Sequence, residues 1–125
     1  MAMTVDIVTP ERLVFSGPAS QVQLPGWEGQ FCALEAHELE LALLRGGVIK
    51  AADQHLVVGR GFAEITGDKA TILVDHCETA GTVSIADAQS QYAEAEAAVG
   101  ASAFGSAERQ QAVEKMELAQ ARMSQ

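Results

Sequence analysis

A change of rule near Ser84 constrains this chain more than any other feature of its sequence. Residues 85–125 hold 12 alanines in 41 positions, no proline, and glycine only at 100 and 105. Alanine has the best helix propensity of all residues, so this stretch is predicted to be helical. Ser84 is placed to cap a first helix, with Asp87 three residues on in a capping-box-like arrangement. Ile85, Ala88, Tyr92, Ala95 and Val99 recur at helical spacing and make one narrow stripe. Gly100 to Gly105 supplies a stop and a turn, and Ser106 can cap a second helix. Its stripe is Ala112, Met116, Ala119 and Met123. Two short helices with a brief link predict an antiparallel hairpin. Much of the seam is alanine, and each buried methyl contributes only about 0.8 kcal/mol. The hairpin is therefore expected to hold itself, and whatever it rests on, weakly.

Ahead of Ser84 the chain reads as short strands. Val5 and Ile7 alternate with polar neighbours before Thr9-Pro10-Glu11-Arg12. Leu13 and Phe15 follow until Ser16-Gly17-Pro18, and Val22 and Leu24 until Pro25-Gly26. Phe31, Ala33, Val48-Ile49, Leu56-Val57-Val58, Phe62-Ile65 and Ile72-Val74 continue the series. Nine of the eleven glycines lie in this part, where turns and bulges need them. Alternating segments broken by frequent turn signals predict an antiparallel β-sandwich. The fold expected is β plus α: a sandwich domain over 1–83 and a helical hairpin over 84–125.

Charge removes several function classes. Eight Lys and Arg stand against 17 Asp and Glu, a net charge of −9. Nucleic-acid binding needs a clustered positive field, and so does anchoring to anionic lipid; neither is available. The N-terminus has no basic start and no apolar run, so no secretory signal is expected. The run Leu41-Ala42-Leu43-Leu44 is far short of the roughly 20 residues of a membrane helix. Two cysteines, Cys32 and Cys77, are too few for a disulfide scaffold.

Catalytic chemistry is not legible either. Gly26-Trp27-Glu28-Gly29 and Gly59-Arg60-Gly61 lack the ending and the following helix of a phosphate loop. Asp75-His76-Cys77-Glu78 gathers four metal-competent side chains, but neighbours in a strand point to opposite faces, and no second cluster completes a site. Cys32 or Cys77 could pair with His37, His55 or His76 only if the fold brings them together. No cofactor or metal is expected.

Four segments carry a resemblance. Ile7-Val8-Thr9-Pro10-Glu11-Arg12-Leu13-Val14-Phe15-Ser16-Gly17 resembles the opening strand and turn of the epsilon subunit of bacterial F-type ATP synthases. Leu24-Pro25-Gly26-Trp27-Glu28-Gly29-Gln30-Phe31 is similar to that family's Pro-Gly-x-Glu-Gly-x-Phe loop. Gly61-Phe62-Ala63-Glu64-Ile65 and Thr71-Ile72-Leu73-Val74-Asp75 resemble two later strands. Each segment alone is weak, and all four occur in family order.

The resemblance implies a non-catalytic rotor part, held against the gamma subunit and the ring of c subunits at the cytoplasmic face of the bacterial inner membrane. By position, Trp27, Glu28, Gly29 and Gln30 would face the c-ring; Thr9, His37 and Ala42 would lie on the gamma side. The hairpin, with Asp87, Gln89, Arg109, Lys115 and Arg122, would be regulatory and could reach the alpha and beta subunits. Some relatives bind ATP through Ile/Leu-Asp-x-x-Arg-Ala, but Ile85-Ala86-Asp87-Ala88-Gln89-Ser90 displaces the acid and lacks the arginine, so ATP binding is not expected. Glu35-Ala36-His37-Glu38-Leu39-Glu40 also departs from the family's Pro-Gly-His-Ala-Pro-Leu. The alternative is a free-standing sandwich that binds a small ligand or a protein partner.

Overall fold

The computed structural model describes residues 3–33 and 36–124, with the side chains of 33–39 outside the description. Ten strands precede two helices: β1 (Met3–Val8), β2 (Leu13–Ala19), β3 (Val22–Gly26), β4 (Gly29–Ala33), β5 (Ala36–Leu44), β6 (Gly47–Ala51), β7 (Gln54–Val58), β8 (Gly61–Gly67), β9 (Lys69–Val74) and β10 (Cys77–Thr79), then α1 (Ile85–Ala101) and α2 (Ala107–Met123). Strand order is β10-β7-β6-β3-β5-β8-β9-β1-β2, with β4 branching from β3. β1 runs parallel to β9, whereas β8 and β9, β5 and β8, and β6 and β7 pair antiparallel. Side chains from β1, β3, β5, β6, β7, β8 and β9 close one core that includes Val5, Ile7, Leu24, Leu44, Ile49, Ile65 and Ile72. The sheet thus folds over itself as a sandwich, and the hairpin follows it.

Three strands differ from the sequence expectation, one of them β10, a short edge strand beside β7 that follows the expected series. β2 does not stop at Ser16 but continues through Gly17 and Pro18 to Ala19. It is the last strand of the sheet, so the N–H that proline lacks is not needed for a further neighbour. β5 was not among the expected strands at all. It pairs with β8 through Leu41 opposite Glu64, Ala42 opposite Ala63 and Leu43 opposite Phe62.

Close approach of two backbones explains Gly61. A Cβ placed there would overlap the backbone carbonyl of Leu73 on the paired strand. A main-chain carbonyl in a ladder cannot swing aside, so overpacking here strains the central pairing. Gly61→Ala is expected to destabilise the fold by about 3 kcal/mol. In urea the midpoint should fall by about 1–3 M with an unchanged slope.

The helices begin where local chemistry starts them. The Ser84 hydroxyl accepts the Asp87 N–H and the Ser106 hydroxyl accepts the Arg109 N–H, each at 3.1 Å. Ala88 and Ala95 of α1, and Ala112 and Ala119 of α2, are buried. Ile85, expected in the same stripe, is half exposed. α2 also turns a second face to the sandwich: Ala121 and Leu118 pack on Val48 and Val57. Val48 and Val57 face each other across β6 and β7, on the side away from the main core. This part of the sheet is therefore apolar on both faces, and α2 covers the outer one. Among the described residues no helix is long and apolar enough to cross a membrane.

Candidate functional site

The outer surface of β5 and β8 also carries large apolar side chains, beside Glu64, and no described helix packs over it. Leu41 and Leu43 are each 68% exposed and Phe62 is 41% exposed. Alternation explains their direction, since Leu44 on the opposite face of β5 is fully buried. Large aliphatic and aromatic side chains grouped on one sheet face mark an interaction surface more often than chance exposure does.

The β3–β4 hairpin extends this surface. Gly26 pairs with Gly29, leaving Trp27 and Glu28 as the two turn residues. Gly29 adopts φ of 128°, a conformation natural to glycine at a tight turn. The Trp27 N–H donates to the Leu43 carbonyl at 3.2 Å, and the Arg45 N–H donates to the Pro25 carbonyl at 2.9 Å. These bonds tie the turn to the end of β5. A groove of about 600 Å³ results, with Trp27, Glu28, Gly29, Gln30, Leu41, Ala42 and Leu43 in its walls. Trp27 is 47% exposed. The guanidinium of Arg60 lies 4.8 Å from its ring centre and that of Arg45 5.8 Å, both within cation–π range.

The structure thus gathers Trp27, Glu28, Gly29, Gln30 and Ala42 around one groove. Thr9 sits elsewhere, buried in the β1–β2 turn, where its amide and hydroxyl both donate to the Arg12 carbonyl at 2.9 and 3.3 Å. The backbone of His37 belongs to β5, and its side chain falls outside the described residues. Asp87 and Gln89 are exposed on α1.

Two of the three hairpin cations are engaged in the folded-down arrangement. Arg109 donates to the Val99 carbonyl at 2.9 Å and lies 5.6 Å from the Phe104 ring centre, pinning the turn between the helices. Arg122 donates to both carboxylate oxygens of Glu78, at 3.0 and 2.6 Å, and to Gln91 at 2.8 Å. It therefore joins sandwich, α1 and α2. His76 also meets Glu78 at 2.7 Å. Burial would raise the Glu78 carboxyl, but the Arg122 and His76 hydrogen bonds outweigh it and hold it below the usual range. Lys115 makes no ion pair among the described residues.

A second clamp was not visible in the sequence. Glu117 of α2 is only 6% exposed. Its Oε1 accepts from the Gly46 N–H at 3.0 Å and from Arg60 Nε at 3.2 Å, while its Oε2 takes Arg60 Nη2. Burial pushes the Glu117 carboxyl up, but Arg60 and the Gly46 amide together pull it below its ordinary value. Glu114 adds a looser contact to Arg60 at 3.8 Å. The only hint in the sequence is that Leu118 and Ala121 widen the apolar arc of α2 beyond its first stripe.

No nucleophile is assembled from Cys77, whose thiol is pushed up to about 11, chiefly by burial. At neutral pH little of it is thiolate, the form that acts as a nucleophile. Among the described residues no three His, Cys, Asp or Glu side chains could together hold a metal ion.

Comparison with known proteins decides the family. The beta-sandwich domain of the ATP synthase delta/epsilon chain matches residues 2–80. The chain belongs to the ATP synthase delta/epsilon family. Among its epsilon-chain relatives, that of Gluconacetobacter diazotrophicus is 36% identical over 102 residues, covering 78% of this chain and 72% of the relative. An epsilon chain from a Synechococcus is 33% identical over 129 residues, covering 98% of this chain and 94% of the relative, hairpin included. A chain in the Euglena gracilis mitochondrial ATP synthase, in an assembly of OSCP, F1 and c-ring, superposes with a TM-score of 0.80 at 16% identity. It covers 98% of this chain and 80% of that one. A chain from the Tetrahymena thermophila mitochondrial ATP synthase central stalk and c-ring superposes at 0.62 with 12% identity, covering 98% and 97%. These two likenesses show the fold alone, a sandwich followed by a helical hairpin.

Proposed function

We propose that this epsilon chain joins the central stalk through the uncovered outer face of β5 and β8. An epsilon chain is a non-catalytic rotor subunit of the ATP synthase and not an enzyme by itself. The observation that carries the docking reading is the contrast between two apolar patches on one sheet. Val48 and Val57 are covered by α2, whereas Leu41 and Leu43, and in part Phe62, stay exposed among the described residues. A rotor part must transmit torque through a fixed interface, and exposed apolar anchors beside a polar rim suit one.

In this reading the Leu41, Leu43 and Phe62 face meets the gamma subunit. Thr9, His37 and Ala42 are assigned to gamma by family likeness alone, since Thr9 lies in the β1–β2 turn and Ala42 on the opposite face of β5. The Trp27, Glu28, Gly29 and Gln30 turn reaches the c-ring. The chain is then held at the cytoplasmic face of the bacterial inner membrane through protein partners, in keeping with its charge of −9. The synthase extracted intact from its membrane should carry one copy of this chain per gamma subunit. Recovery of the chain on liposomes without gamma would contradict the reading.

Regulation belongs to the same proposal. Residues 85–125 carry three cations and six acids, a net charge of −3. The family resemblance implies a second state, in which the hairpin leaves the sandwich and extends along gamma to acidic surfaces of the catalytic subunits. Like charge disfavours that insertion. The clamps on Glu117 and Arg122 act in the same direction, because both are made only with the hairpin down. Weak inhibition follows. Cutting the chain after Thr82 should raise ATP hydrolysis by the reconstituted complex less than about twofold, under about 0.4 kcal/mol on the barrier. A tenfold rise would mean that the hairpin is a strong brake.

A further inference from the structure

Arg60 stands between the docked hairpin and the groove at the β3–β4 turn. It follows β7 in the chain and turns its guanidinium to two partners at once. One is the carboxylate of Glu117 on α2, which takes Arg60 Nε and Nη2 side by side. The other is the exposed ring of Trp27 in the groove, 4.8 Å away. A guanidinium gripped at two nitrogens is fixed in plane and position, and only then presents a fixed face to the ring.

We propose that Arg60 couples hairpin docking to the shape of the Trp27 groove, so that the folded-down hairpin presets the groove and an occupant of the groove favours the folded-down hairpin. Docking of α2 brings Glu117, which fixes Arg60, which in turn holds the Trp27 ring. Detachment of α2 frees the guanidinium to rotate into solvent, leaving Arg45 at 5.8 Å as the ring's remaining cation. Linkage makes the effect reciprocal: whatever binds the ordered Trp27 better than the mobile one must stabilise the docked hairpin by the same factor. The coupling is a property of this chain alone and stands whatever occupies the groove.

Trp27 is the single tryptophan, so its emission reports on the groove without labels. In the full-length chain Glu117→Gln should increase acrylamide quenching of Trp27, although residue 117 does not touch the ring. Conversely, Trp27→Leu should speed amide exchange of residues 107–123 about 2–5-fold, the loss expected of one exposed cation–π contact. In an Arg60→Gln background Trp27→Leu should change that exchange no further. Unchanged quenching in Glu117→Gln would overturn the proposal. So would a Trp27→Leu effect of equal size with and without Arg60, which would mark simple loss of packing.

Discussion

Glu117→Ala should release the helical hairpin from the sandwich. The substitution deletes a buried carboxylate, strands the Arg60 guanidinium and leaves the Gly46 N–H without its acceptor. Breaking a buried ion pair by removing one partner costs about 3–5 kcal/mol. Arg60 is partly open to solvent, so about 3 kcal/mol is the better figure here. That is roughly a hundredfold shift in the docking equilibrium. An undocked hairpin with an alanine seam is marginal as a helix pair, so its amides exchange freely once it leaves. Exchange of residues 107–123 should therefore rise about a hundredfold while β1, β8 and β9 keep their protection. Glu117→Gln, which retains an acceptor for the Gly46 amide, should lie between the two.

The same clamps set a pH dependence. Glu117 and Glu78 are both held below their ordinary value of 4.5 when the hairpin is docked. A depressed carboxylate stabilises the docked state above its undocked value and loses that contribution as pH falls through the docked one. Docking should therefore be flat from neutral pH down to about 5.5, and weaken below about 4.5. The groups facing Glu117 are Arg60 and Arg45, with Glu114 and Asp75 acting on Arg60. Those facing Glu78 are Arg122 and His76.

What was legible in the sequence was what depends on near neighbours. Ser84 and Ser106 cap their helices through bonds to residues three positions on, and a local pattern shows such bonds. Strands with one polar face, such as β1 and β9, announce themselves by alternation. β5 escaped because Leu41-Ala42-Leu43-Leu44 is apolar on both faces: Leu44 fills the core while Leu41 and Leu43 point outward. The pattern that hides the strand is the one that makes it a docking surface. Pro18 misled for the opposite reason, since its breaker character is harmless on the last strand of the sheet. The clamp on Glu117 was out of reach because Arg60 lies 57 positions away. A glutamate in a helix ordinarily reads as solvated surface. Of the groove, the sequence supplied the Trp27 turn through family likeness, but not the cations that flank its ring.

The largest expected loss of binding lies at the uncovered face. Leu43 and Phe62 oppose one another across β5 and β8, and both are substantially exposed in the free chain. Replacing Leu43 by glutamate should cost the isolated fold under about 0.5 kcal/mol, whereas replacing Phe62, more than half buried, should cost about 1–2 kcal/mol. At an interface the same change buries an unpaired charge where an apolar anchor belonged. Central anchors of this kind carry about 2 kcal/mol or more each, so one substitution should weaken binding at least about 30-fold. The combined variant should exceed about a hundredfold.

Calorimetric titration of the full-length chain, as wild type and as Leu43→Glu, into its gamma subunit tests this account most directly. The account predicts 1:1 binding by the wild type and at least about 30-fold weaker binding by Leu43→Glu, with unchanged circular dichroism and thermal midpoint. Equal affinity for the two chains would show that the outer face of β5 and β8 is not where this subunit meets the stalk.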